Sequence, residues 1–238
     1  MNPVLEIDDV HASYGKHDVL RGVTMRIGAG EWFCLLGPNG AGKSTLLHCI
    51  STQVEPSQGD VLIDQISVRS RPEVAKLRLG FAAKPESLPG LLTGRECLQI
   101  YTYAKGLNAL DSEVLELSER FVFSKFMDRC VDTYSLGTRQ KLCVLLALIG
   151  KPRLIVLDEA FNGLDPASSL LLKKHLRDRI ERNDCAVLLA THSLDIVEHY
   201  ADRAALLIDG AIAKTWSSAD LHALRALGGN ALEESIGG

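Results

Sequence analysis

The stretch Gly37-Pro38-Asn39-Gly40-Ala41-Gly42-Lys43-Ser44-Thr45 restricts this chain more than any other. It fits G-x-x-x-x-G-K-[ST], the pattern of a loop that joins a buried strand to a helix. Both neighbours are in place: residues 31–36 form a short, largely apolar run that stops at Gly37, and residues 45–50 read as a helix. Chemistry dictates the residue types. Glycines let backbone N–H groups wrap a phosphate chain, and the helix N-terminus adds a favourable dipole. Lys43 would reach the β- and γ-phosphates, and the Ser44 hydroxyl would ligate Mg²⁺.

The rest of the chain alternates in keeping with such a loop. Residues 4–10 and 19–27 read as β-rich, the second with a period of two at Val23, Met25 and Ile27. Strands are predicted over 60–63 and 79–83, with a short helix over 71–77 between them. From 93 to 150 helix signals dominate. Thr93-x-x-Glu96 is a capping box, residues 111–121 are amphipathic, and Ser135 precedes a long apolar helix. Beyond Pro152, strands over 154–157, 186–190 and 204–209 alternate with helices over 166–182 and 194–201. Asp165 caps the first of these helices, with Pro166 at its first position. The pattern is an α/β core interrupted by a helical insertion near residues 90–150.

Composition narrows the class. In a chain of 238 residues, 46% apolar and 24% charged residues suit a globular fold with a sizeable core. The longest apolar run, 142–149, is far short of the ~20 residues a membrane span needs. Residues 1–10 carry acids and no base, unlike a secretory signal. Six cysteines lie without a C-x-x-C pair, most among apolar neighbours, as reduced thiols in the cytosol would. A net charge of −4 gives no general attraction to nucleic acid, and none is expected as a partner.

A phosphate loop needs a carboxylate for the metal, and Leu154-Ile-Val-Leu157-Asp158-Glu159 supplies one at the end of a buried strand. Asp158 would hold the Mg²⁺ shell, and Glu159 would polarise the attacking water. With these motifs the chain resembles the ATP-binding subunit of an ABC transporter over nearly its whole length. Tyr134-Ser135-Leu136-Gly137-Thr138-Arg139-Gln140 is similar to that family's signature sequence, and Asn162-Gly-Leu-Asp165 to its subunit-communication loop. The resemblance implies further roles. Ser135, Leu136, Gly137 and Thr138 would contact the ATP of an opposite subunit, and Asp165 would serve communication between the two. His192 matches the family's switch histidine, and Tyr14 falls where an aromatic ring stacks on adenine.

The implied fold is α/β: a P-loop (RecA-like) core with an N-terminal antiparallel β subdomain and a helical subdomain insertion. Residues 1–90 and 151–215 would form the core with its β subdomain, 91–150 the helical subdomain and 216–238 a tail with one short helix before Gly228-Gly229. The implied activity is ATP hydrolysis with Mg²⁺, powering transport through a separate membrane-spanning permease. The partner subunit would be a second copy or a paralogous ATPase, and the location the cytoplasmic face of the cell membrane.

Two departures from the family stand out. The first signature glycine is replaced by Leu136, as in relatives that resemble ABC-2-type exporters, which favours export. At the position where the family presents a glutamine to Mg²⁺ and water, this chain has Lys84, a donor with no acceptor. Lys84 is expected to point away from the metal, pairing with Glu86 or reaching the γ-phosphate, because an ammonium beside the ion adds like-charge repulsion.

Several residues also have plainer readings. Taken alone, Tyr14 is a half-buried strand aromatic, as are Trp32 and Trp216, and His192 caps the helix that follows it. His48, His175, His199 and His222 read as helix-face residues without chemistry. The run Lys173, Lys174, Arg177, Arg179, Arg182 reads as a solvated helix face. Two other functions compete. A soluble ABC ATPase acting on ribosomes or DNA would need tandem domains or a long coiled-coil insertion. A non-hydrolysing nucleotide-gated module is disfavoured by the presence of both Glu159 and His192. An exposed cluster at Leu88, Leu91 and Leu92, within 88–103, is the expected docking surface for the permease.

Overall fold

A computed structural model describes residues 2–15, 17–227 and 231–237. Two antiparallel strands open the chain, β1 (Leu5–Tyr14) and β2 (His17–Ile27), followed by β3 (Trp32–Leu36), the phosphate-type loop and α1 (Lys43–Ile50). Next come β4 (Gln58–Ile63), β5 (Ile66–Ser67), α2 (Pro72–Arg78) and β6 (Leu79–Ala82). Three helices occupy the middle: α3 (Gly94–Ala104), α4 (Ser112–Arg120) and α5 (Leu136–Leu148). The α/β alternation resumes with β7 (Leu154–Asp158), α6 (Pro166–Glu181), β8 (Ala186–Ala190), α7 (Leu194–Tyr200) and β9 (Arg203–Ile208). The chain continues through β10 (Ala211–Trp216), α8 (Ser218–Leu227) and α9 (Ala231–Gly237).

A six-stranded sheet in the order β10-β9-β3-β8-β7-β6 is parallel except at β10, and a four-stranded antiparallel sheet runs β2-β1-β4-β5. Strands β3, β7 and β8 are buried at every residue, which is why they read as unbroken apolar runs. Their side chains alternate between two cores. Phe33, Leu35, Val156 and Leu188 face the antiparallel sheet and α1. Trp32, Cys34, Leu157 and Leu189 face α3–α7. Burial pushes the Cys34 and Cys143 thiols up to about 12, so these cysteines behave as small apolar residues, whereas Cys130 is exposed.

The caps form as the sequence indicates. The Thr93 amide donates to Glu96 Oε2 at 2.7 Å while Thr93 Oγ1 accepts from the Glu96 amide at 3.2 Å. The Ser168 amide donates to Asp165 at 2.9 Å. The Lys141 ammonium, 2.7 Å from Asp165 Oδ2, together with the Ser168 bonds holds that carboxyl well below the usual range.

Other expectations need correction. The basic run on α6 is a solvated face only in part: Lys174 and Arg182 are exposed, but Arg179 is only 2% exposed and donates to the Pro152 carbonyl, and Arg177 pairs with Asp202. The Lys173 ammonium stands 4.7 Å from the Tyr200 ring centre. Lys173 and Arg177 are drawn inward because Trp32, Phe161 and Tyr200 form an aromatic group beneath them. Trp32 and Trp216 are buried, not half-buried. Strand β10 was not predicted, although Asp209-Gly210, both at positive φ, is a hairpin-turn signal. Two helices, not one, follow β10, and Gly228-Gly229 lies outside the described residues.

Lys105 ties the C-terminal end of α3 to the core. Its ammonium donates to the Lys76 carbonyl at 2.6 Å and the Leu79 carbonyl at 2.5 Å. Burial holds this amine down at about 8. The unfolded amine titrates near 10.4, so the unfolded chain binds more protons between the two values, and stability rises with pH across that window. Lys105→Met, which keeps the stem and loses the amine, is expected to cost about 1–2 kcal/mol at pH 10 and less at pH 7. Denaturant melts from pH 7 to 10 check this; an unchanged rise in the variant would refute the assignment.

Candidate functional site

Parallel register brings the site together. Asp158 at the end of β7 lies opposite Ala190 of β8, and Ala190 lies opposite Leu35 of β3, so the loops leaving all three strands emerge at one rim. The loop after β6 carries Lys84 to the same rim. A cavity of 380 Å³ there is lined by Pro38, Asn39, Gly40, Gly42, Lys43, Ser44, Thr45, Lys84, Asp158 and Glu159, with Val19 closing one wall. Val19 was not singled out in the sequence, since an aliphatic strand residue carries no signal of a site. Gly37 and Ala41 shape the loop without lining the cavity.

Gly42 sits at φ +105°, where a Cβ would press on the Val19 carbonyl and the Leu20 side chain. Glycine is therefore needed for the turn into α1. Lys43 is folded back on its own loop, its ammonium donating to the carbonyls of Gly37 at 2.6 Å and Pro38 at 3.1 Å. Ser44 Oγ donates to Asp158 Oδ2 at 2.9 Å. Two oxygens bound side by side to an octahedral Mg²⁺ stand about 3 Å apart, so this hard-oxygen pair fits that ion.

Glu159 follows Asp158 at φ +51°, a conformation that costs on the order of 1–3 kcal/mol for a residue with a side chain. Both carboxylate oxygens are held: Oε1 lies 2.9 Å from His192 Nδ1, and Oε2 accepts from Asn162 Nδ2 at 3.2 Å. The sequence reading placed Asn162 only in a loop motif; its bond to Glu159 depends on the tight turn after β7.

Lys84 turns toward the cavity rather than toward Glu86. Its ammonium lies 3.3 Å from Ser44 Oγ and 3.4 Å from Asp158 Oδ2, and it pairs with Asp158 in place of Glu86. The physical reason is the burial of Asp158, only 7% exposed, whose charge requires a cation nearby.

Other predicted residues lie apart from the cavity. Tyr14 ends β1, 52% exposed and paired with His17. Ser135 caps α5, its Oγ 2.9 Å from Thr138 Oγ1 and accepting from the Thr138 amide. Leu136 is exposed on the first turn. A Cβ on Gly137 would come within 2.6 Å of the Gly163 carbonyl oxygen, so this glycine admits the 161–165 loop. That loop is fastened by Lys141 to Asp165. Of the three leucines, Leu88 and Leu92 pack against the core while Leu91 is 89% exposed.

Residues 20–162 match the family described as ABC transporter. The uncharacterized ABC transporter ATP-binding protein YdbJ of Bacillus subtilis (strain 168) is 35% identical over 211 residues, 88% of this chain and 68% of that protein. The Nod factor export ATP-binding protein I of Rhizobium meliloti (strain 1021) is 32% identical over 208 residues, 87% of this chain and 62% of that protein. The chain thus spans about two thirds of the length of these relatives. A solved structure of an ATP-binding subunit of an ABC transporter superposes with a TM-score of 0.86 at 28% identity over 97% of both chains. With its phosphate loop, its acidic strand end and these relatives, the chain belongs to the ABC transporter ATP-binding family.

Proposed function

We propose that this chain binds and hydrolyses ATP with Mg²⁺ and powers export through a separate membrane-spanning permease, working as a dimer with a second copy or a paralogous ATPase. The observation that carries the reading is the Glu159 carboxylate, fixed between His192 and Asn162 beside the Lys43–Ser44 loop. Among the described residues no helix is long and apolar enough to cross a membrane, so membrane helices would come from outside them. The relative named for Nod factor export supports the direction of transport. The location that follows is the cytoplasmic face of the membrane.

In this mechanism Gly37 to Thr45 wrap the phosphates, and Lys43 leaves its carbonyl partners to bind the β- and γ-phosphates. Tyr14 stacks on the base. Ser44 and Asp158 would hold Mg²⁺, which when bound would neutralise charge on the phosphates. Glu159 accepts the proton of the attacking water, and His192 keeps its carboxylate in line and meets the γ-phosphate. The capped α5 N-terminus at Ser135–Thr138 offers amides to the γ-phosphate held by the opposite subunit. Asp165, fastened to Lys141 on α5, links that signature to the Asn162 loop and so to Glu159.

The proposed permease surface comprises the exposed residues Leu91, Ile100 and Tyr103 and a 560 Å³ groove lined by Val74, Leu77, Phe81 and Tyr101. Its apolar lining suits a short cytoplasmic helix of the partner.

Three variants test these assignments. Glu159→Gln is expected to bind ATP normally, lower turnover at least a hundredfold and accumulate an ATP-bound dimer on size-exclusion chromatography. Lys43→Ala is expected to weaken ATP binding about tenfold or more by calorimetry, through loss of a charge-assisted phosphate contact. Leu91→Asp is expected to melt at the wild-type temperature yet fail to co-purify with the permease from detergent-solubilised membranes. Normal assembly of that variant would remove Leu91 from the interface.

A further inference from the structure

Asp158 and Ser44 offer a cation two oxygens 2.9 Å apart, and the Lys84 ammonium stands 3.3–3.4 Å from both. The burial of the pair is lopsided: the Asp158 side chain is 4% exposed and that of Lys84 53%. The lysine backbone is fixed, because the Ser87 amide and hydroxyl both donate to the Lys84 carbonyl and Pro85 is buried behind it. The side chain, by contrast, reaches in from solvent and is free to swing out. Lys43 cannot do the same work in this conformation, since its ammonium is committed to the Gly37 and Pro38 carbonyls.

We infer that Lys84 is a tethered cation that holds the divalent-ion position between Ser44 and Asp158 and is displaced when Mg²⁺ enters with nucleotide. This rests on the ATP-binding reading of the site and adds a consequence for its ion dependence. Mg²⁺ must break the Lys84–Asp158 pair before it takes the same oxygens, so binding of Mg·ATP is weakened. ATP without metal meets an ammonium already beside its phosphates, so that binding is strengthened. Lys84 thus sets how strongly nucleotide affinity depends on the divalent ion.

The test is equilibrium binding of a fluorescent ATP analogue to the full 238-residue chain, in excess Mg²⁺ and in EDTA, for wild type, Lys84→Gln and Lys84→Arg. Lys84→Gln is expected to tighten binding in Mg²⁺ and weaken it in EDTA, widening the ratio of the two Kd values about tenfold. Lys84→Arg keeps the charge and is expected to stay within about twofold of wild type. A lysine with a merely structural role would move both Kd values together and leave the ratio unchanged, which would overturn the proposal. Mn²⁺ titration of the nucleotide-free chain, followed by electron paramagnetic resonance, gives a second measure: Lys84→Gln is expected to bind Mn²⁺ more tightly, and equal affinity would count against the tethered cation. Failure of wild type to bind nucleotide in either buffer would instead overturn the ATP reading itself.

Discussion

Three parallel strands, β3, β7 and β8, are buried on both faces and end level with one another, and the polar groups of the site hang from that rim. Such strands have no solvent side on which to place charge, so Ser44, Asp158, Glu159 and His192 can be reached only where the strands stop. Each core contributes one wall to the arrangement. The antiparallel sheet presses Val19 and Leu20 against the phosphate loop, and the helical layer carries α5 and its capped N-terminus on the other face.

Charge at the rim is managed by neighbours more than by solvent. Asp158 is neutralised by Lys84, Glu159 is shared between His192 and Asn162, and Lys43 rests on backbone carbonyls. The Lys84 and Lys43 partnerships are ones that a bound nucleotide and its ion would replace, while the Glu159 pair would stay. The signature turn is handled in the same way: Gly137 lets the Asn162–Asp165 loop approach α5, and Lys141 secures it. A continuous set of contacts therefore runs from the first turn of α5 to the carboxylate of Glu159. Communication between the two subunits of the proposed dimer would have a physical route along it.

Most of this architecture was legible in the residue pattern. Continuous apolar runs marked β3, β7 and β8, the glycine-rich loop located the start of α1, and Thr93, Ser135 and Asp165 marked helix N-termini as caps should. What escaped were features that local pattern does not encode. β10 has only one fully buried residue, Trp216, so it carries no continuous apolar run, although Asp209-Gly210 signalled the hairpin. The cations of α6 looked solvated because aromatic partners from β3, α7 and the 161–165 loop are far away in the chain.

By itself, the sequence located the groups of the site: a phosphate loop whose residue types and spacing have few other uses, a pair of acids at a strand end and, through the family resemblance, a histidine after the next strand. Tertiary structure alone decided which of these groups touch. Lys84 reads as a metal-avoiding residue when only its own charge is considered. It turns inward because a carboxylate 74 positions away is buried beside it, and an unpaired buried charge costs more than bending one exposed lysine. Asn162 reaches Glu159 through a backbone turn at positive φ that no propensity scale would assign to glutamate. Local patterns specify elements, and long-range electrostatics and close packing specify how the side chains between them are shared.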